Sequence, residues 1–161
     1  AGLLHDVGKI ILDQYFHEEF MAAYNLSREQ DRPMYETEMA TCGTNHMEVG
    51  YYIARKWNLP PYLQDVILWH HKPSRAAFPD MAAVVSVADH MARAAQFSCG
   101  ADTMPFVLAD QDAWAVLKER GVDVNGLDVE RMTFEMEAIG HQVKEYIETV
   151  MNPEEGGRRD G

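Results

Sequence analysis

Cysteine is scarce in this chain of 161 residues: Cys42 and Cys99 are the only two, far apart and with no CxxC pairing. That excludes a disulfide framework or a paired-thiol motif and favours a reducing compartment. No apolar run approaches the roughly 18 residues that a membrane span needs, and no signal peptide is visible. Positive charge is also short, since 14 Lys and Arg stand against 26 Asp and Glu, for a formal charge of −12. A surface of that sign repels a phosphate backbone, so nucleic-acid binding is not expected. Alternation of period two is missing, as is any internal repeat. The chain reads as a soluble, cytoplasmic protein with no membrane association.

What is present is helical punctuation. Hydrophobic residues make up 47% of the chain, enough for one compact core. Leu3, Leu4, Val7, Ile10, Ile11, Leu12, Tyr15 and Phe16 recur with a period near 3.6 and predict a helix from Leu3 to Phe16. A second helix, His17 to Gln30, stops ahead of Arg32-Pro33, because the residue before proline avoids the α region. Tyr35 to Cys42 predicts a third, ended by Gly43, and Asn45 with Glu48 has the form of a capping box opening a helix to Trp57. Pro61 suits the first turn of the next helix. "KPSRAAFPD" reads as a loop, with Asp80 capping a long helix from Met81 to about Phe97. Helices over Asp110–Arg120 and Asp128–Val150 follow, and residues 151–161 form a disordered polar tail. The fold class is therefore all-α, a multi-helix bundle over residues 1–150. Ala1 falls inside an apolar pattern with no cap ahead of it, so the chain reads as the C-terminal part of a larger domain whose N-terminal helices precede it.

Four polar intrusions interrupt this pattern. His5-Asp6 sits among Leu4, Val7 and Ile10; His46 opens a helix; His70-His71 ends "VILWHH"; Asp89 follows "VVSVA". A bare carboxylate in such surroundings is costly unless it is paired or coordinated. All four are of imidazole or carboxylate type, which points to one shared site. Those donors suit Fe, Mn, Zn or Ni without selecting strongly among them. Two metals there would activate a water and clamp a phosphoryl oxygen, and Lys9, three residues after Asp6, would supply positive charge to a phosphate. The competing reading is a set of core groups that hydrogen-bond each other. Neighbours on a helix point about 100° apart, so both members of a pair reach one metal only at a bent or terminal position. His17, His90 and His141 read as structural. Glu38 stays open between an exposed helix residue and a partner of a ligand.

"LLHDVGK", followed by "HMEVGYYIARKWNLPPYLQDVILWHHKP" and "VVSVADHMAR", resembles the HD superfamily of metal-dependent phosphohydrolases. More closely it resembles the HDOD branch, the HD-related output domain of bacterial signalling proteins. The resemblance implies that His5, Asp6 and Asp89 hold one divalent metal, that His46, His70 and His71 serve a second, and that Lys9 contacts a phosphate. In the superfamily a further His on a preceding helix completes the first site, and no such helix is included in this sequence. Relatives that hydrolyse cyclic di-GMP carry a GYP-type motif just beyond the paired histidines. Here that stretch reads "HHKPSRAAFPDMA", which argues against that activity. Two functions follow. One is a signal-transduction module that acts through ligand or protein binding, with other signalling domains or proteins as partners and a nucleotide or phosphate as ligand. The other is a metal-dependent phosphohydrolase of nucleotides or phosphate esters, with Asp6 and Lys9 in its catalytic group. The resemblance leaves catalysis open.

Overall fold

The computed structural model describes residues 1–94, 112–123 and 126–151. The helices there are α1 (Val7–Tyr15), α2 (His17–Gln30), α3 (Met34–Cys42), α4 (His46–Lys56), α5 (Pro61–Trp69), α6 (Pro79–Ala94), α7 (Asp112–Glu119) and α8 (Val129–Met151). A 3-10 turn, Pro73–Arg75, lies between α5 and α6. Among the described residues there is no strand, and no helix is long and apolar enough to cross a membrane. The fold is all-α, as the periodicity requires.

The chain divides into two compact units, Ala1–Leu127 and Asp128–Gly161. The first holds α1 to α7 and every residue of the ligand set; the second holds α8. The sequence reading runs one domain through residue 150, and no composition shift marks the boundary near 127.

Local chemistry explains several helix ends. The Asn45 side chain accepts the Glu48 N–H at 3.0 Å, which caps α4. Pro61 occupies the first turn of α5, where its missing N–H costs nothing. Gly43 ends α3 at φ +71°, a left-handed conformation that residues with a Cβ rarely adopt. Two expected starts shift. Helix α1 begins at Val7 rather than Leu3, because Leu4 N–H bonds to the Ala1 carbonyl and Val7 N–H to that of Leu4, closing tight turns ahead of it. Helix α6 begins at Pro79 rather than Met81, and Asp80 lies in its first turn, where it pairs with Arg120 at 2.9 Å. The expected end near Phe97, the residues around Asp110, Cys99 and the tail after Met151 lie outside the described residues.

In the first unit α1 packs on α4, α4 on α5, and α5 on α6, with α2 against α3 and α6 against α7. The α1–α4 crossing depends on two glycines. A methyl group on Gly8 would collide with the carbonyl of His46, and one on Gly50 would meet the Ile67 side chain at 2.8 Å. That close approach sets the turn before α1 beside the first residue of α4. Leu12, Ala54 and Ile67 are fully buried, and Val66, Ala82 and Val85 join α5 to α6. Burying a side chain such as Leu12 or Ile67 contributes about 1.5–3 kcal/mol, so this apolar frame holds the polar groups described next.

Candidate metal centre

All but one of the predicted ligands stand at helix ends. His5 and Asp6 occupy the turn before α1, His46 is the first residue of α4, and His70 and His71 follow the last residue of α5. Asp89 projects from within α6. Because the backbone bends at those ends, adjacent residues point to a common centre, as His70 and His71 do with ring centroids 4.2 Å apart. An uninterrupted helix would have sent one of each pair elsewhere.

Asp6 is the hub. Its Oδ1 lies 3.4 Å from His46 Nε2 and 3.6 Å from His70 Nε2, and its Oδ2 lies 3.3 Å from His5 Nε2 and 2.8 Å from Lys9 Nζ. His46 Nε2 is 3.1 Å from His71 Nε2. Two groups have ligand atoms all within 4.8 Å of one another, His46 with His70 and His71, and His5 with Asp6 and His70. His70 is therefore common to both. Asp89, which the family resemblance groups with His5 and Asp6, lies 3.5 Å from His5 Nε2 and also pairs with Arg93 at 2.9 Å.

The ring orientations matter more than the proximities. His5 Nδ1–H donates to the Gly2 carbonyl at 2.6 Å, His70 Nδ1–H to the Ile67 carbonyl at 3.0 Å, and His46 Nδ1–H to Glu38 Oε2 at 2.6 Å. These partners fix the tautomer by acting as acceptors. Each ring is thus anchored through Nδ1 with Nε2 turned inward, the arrangement in which a second hydrogen bond orients a metal-binding imidazole. Among the described residues, His70 Nε2 and Asp6 Oδ1 are buried with no hydrogen-bond partner, whereas His5 Nε2 faces the Asp6 and Asp89 carboxylates at 3.3 and 3.5 Å. Buried polar atoms left in that state are uncommon and call for an explanation, and a cation between them supplies one.

The electrostatics divide the cluster: His70, His71 and the two carboxylates are in the states a metal needs, while His5 holds a proton that a metal would have to displace. Burial alone would push the Asp6 carboxyl up, but the His5 hydrogen bond and the charges of Lys9 and His46 outweigh it and hold Asp6 well below the usual carboxylate range. Asp89 is also lowered, burial being outweighed by His5 and Arg93. Burial pulls His5 down, yet Asp6 and Asp89 together raise it to about 10. His70 goes the other way, to about 3, through burial and the charge of His46. Burial, then the His70 and His46 charges, puts His71 well below the ordinary histidine range; its ring is enclosed although the residue keeps some surface. Neutral imidazoles at 70 and 71 beside an ionised Asp6 are the protonation states that a metal needs.

Two residues outside the predicted ligand set belong to this site. Glu38, left open by the sequence, is fully buried on α3 and bonds both the backbone N–H and the ring of His46. Arg93 was foreseeable from its position four residues after Asp89. Of the three histidines read as structural, His17 pairs with Asp13 on the surface, His90 donates to the Ser86 carbonyl, and His141 is exposed on α8.

The fold and this cluster define an all-α domain with a histidine-rich polar centre. Residues 1–73 match the family model of the HDOD domain. Over 71 residues the chain is 27% identical to an uncharacterized protein of Treponema pallidum (strain Nichols), a stretch covering 44% of this chain and 14% of that protein. Among solved structures, an HDOD domain protein with unknown function from Geobacter sulfurreducens aligns with a TM-score of 0.62 at 24% identity, over 90% of this chain and 48% of that one. The chain spans about half the length of that structure, and at this identity the likeness speaks for the fold alone. The HDOD resemblance thus holds over residues 1–73 in sequence and over most of the chain in fold.

Proposed function

We propose that this chain is a metal-binding regulatory domain of the HDOD type, which acts by presenting a loaded or unloaded centre to a ligand or to other signalling domains. The observation that carries the metal half is the convergence of three imidazole Nε2 atoms on one carboxylate, His46 and His70 on Asp6 Oδ1 and His5 on its Oδ2, with each Nδ1 already anchored. His5, Asp6, His46, His70 and His71 would hold one or two divalent ions of Fe, Mn, Zn or Ni, with Asp89 beside His5. Such an ion, once bound, lowers the pKa of a coordinated water and polarises a phosphoryl oxygen.

The chain's own residues favour regulation over turnover. Lys9 is committed to Asp6 at 2.8 Å, and Asp89 is held by Arg93. The stretch after His71 folds as the 3-10 turn, where Ser74 N–H donates to Asp112 on α7, and it carries no GYP motif. The second reading, a phosphohydrolase of nucleotides or phosphate esters, draws on the nearness of the Lys9 ammonium to the cluster. Chain loaded with each metal in turn and assayed on p-nitrophenyl phosphate, its bis-ester and nucleotides separates them. The regulatory reading expects metal uptake without turnover. Turnover that Lys9→Ala abolishes at unchanged metal content would establish the hydrolase instead.

A further inference from the structure

Next to the metal cluster, but lined by none of its ligands, lies a cavity of about 420 Å³ between α3, α4 and the end of α5. We propose that it binds a small organic anion carrying a flat ring, of about mononucleotide size. This inference stands apart from the metal reading and does not rest on it.

Three features of the lining define the ligand. Tyr35 and Trp69 bring aromatic surface to the lining, beside which a planar ring packs once the cations over them turn to its anionic group. Lys72 and Arg75 lie over those rings, Lys72 Nζ 5.6 Å from the Tyr35 centroid and Arg75 Cζ 5.9 Å from that of Trp69. Neither forms an ion pair with a carboxylate among the described residues, so both are available to a phosphate or carboxylate group. Glu36 and Glu48 are kept in place by Arg32 at 3.1 Å and by Thr44 at 2.9 Å, and their remaining lone pairs accept hydroxyl protons. In a chain of charge −12, a lining with three cations against two carboxylates is a local reversal of sign. The volume falls within the range of roughly 300–1,000 Å³ usual for small-molecule sites.

Its lining residues are sequence neighbours of the histidine cluster. Asn45 and Met47 line the cavity and flank His46, while Trp69 and Lys72 line it and flank His70-His71. Tyr35 itself lies against the His71 ring, with centroids 5.0 Å apart.

The test uses the full chain and adenosine 5′-monophosphate as probe, read on the indole N–H signals of Trp57, Trp69 and Trp114, with Trp69→Phe assigning the middle one. We expect a saturable shift of the Trp69 signal. Adenosine alone and inorganic phosphate alone should bind more weakly, since each satisfies one half of the site. Lys72→Ala with Arg75→Ala should weaken binding about tenfold or more, through the loss of two charge-assisted contacts, with the Trp57 and Trp114 signals unmoved. Chelator-treated chain and metal-loaded chain should bind the nucleotide alike. No saturable shift at Trp69, or equal binding by the Lys72/Arg75 double variant, would overturn the proposal. Binding that requires added metal would place the anion on the metal centre and overturn it as well.

Discussion

Glu38 Oε2 accepts two hydrogen bonds from one residue, the backbone N–H of His46 at 2.8 Å and its ring Nδ1–H at 2.6 Å, with both side chains fully buried. The carboxylate therefore fixes the position of the start of α4 and the tautomer of its first side chain at once. Glu38→Gln preserves shape but removes the charge that favours Nδ1–H. By the usual effect of such outer partners, metal affinity should fall about 10–100-fold. A chelator-competition titration measures it; unchanged affinity would show that Glu38 serves folding alone.

Gly8→Ala tests the helix crossing. The added methyl meets backbone, the His46 carbonyl, so no side chain can move aside to make room. Overpacking of this kind costs about 1–3 kcal/mol, and separating α1 from α4 also draws Asp6 away from His46. Urea unfolding and metal titration should therefore worsen together. A variant that loses stability while keeping full metal affinity would show that the crossing does not position the ligands.

The pH dependence of the metal-free protein follows from opposed histidines. His70, at about 3, and His71, also lowered, are neutral when folded, so stability is lost as pH falls below the ordinary histidine value of about 6.5. His5, raised to about 10, contributes fully below that ordinary value, and its contribution is lost as pH rises through about 10. The depressed carboxyls of Asp6 and Asp89 add a further loss below their ordinary range. Stability in chelator should peak near pH 6.5, and saturating metal should flatten the alkaline decline, since a coordinated His5 is neutral. Denaturant midpoints that climb steadily from neutral to alkaline pH in chelator would contradict this.

His70 belongs to both ligand groups, whereas His71 belongs to one. His70→Ala should accordingly remove more of the metal-induced rise in Tm than His71→Ala, because stabilisation by a bound ion scales with its affinity for the folded state. Thermal scans with and without metal make the comparison. Equal losses would mean that the two groups do not share a ligand.

How far the sequence exposed this site depends on how each residue is held. Local rules placed α4 through Asn45 and Glu48, and α5 through Pro61, because capping and proline geometry act within one turn. The end of α2 at Gln30 follows from the proline at 33. The start of α1 was not legible, since the turns over Leu3–Asp6 interrupt an apolar pattern that continues unchanged. The four polar intrusions stood out because imidazoles and carboxylates are expensive among apolar neighbours. Glu38 did not, because "MYETEMATC" carries two glutamates and no local feature says which one α3 buries. Only the packing of α3 against α4 decides that. The sharing of His70 was equally hidden, because it depends on a crossing at Gly8 and Gly50 rather than on spacing.

Elemental analysis of the purified chain, beside a His5→Ala, Asp6→Ala variant prepared in the same way, decides whether these residues hold a metal. One or two divalent transition-metal ions per parent chain and a clear loss in the variant are expected. Equal metal in the two proteins, or none in the parent after incubation with Fe, Mn, Zn and Ni, would contradict the metal reading and leave the cluster as a hydrogen-bonded polar core.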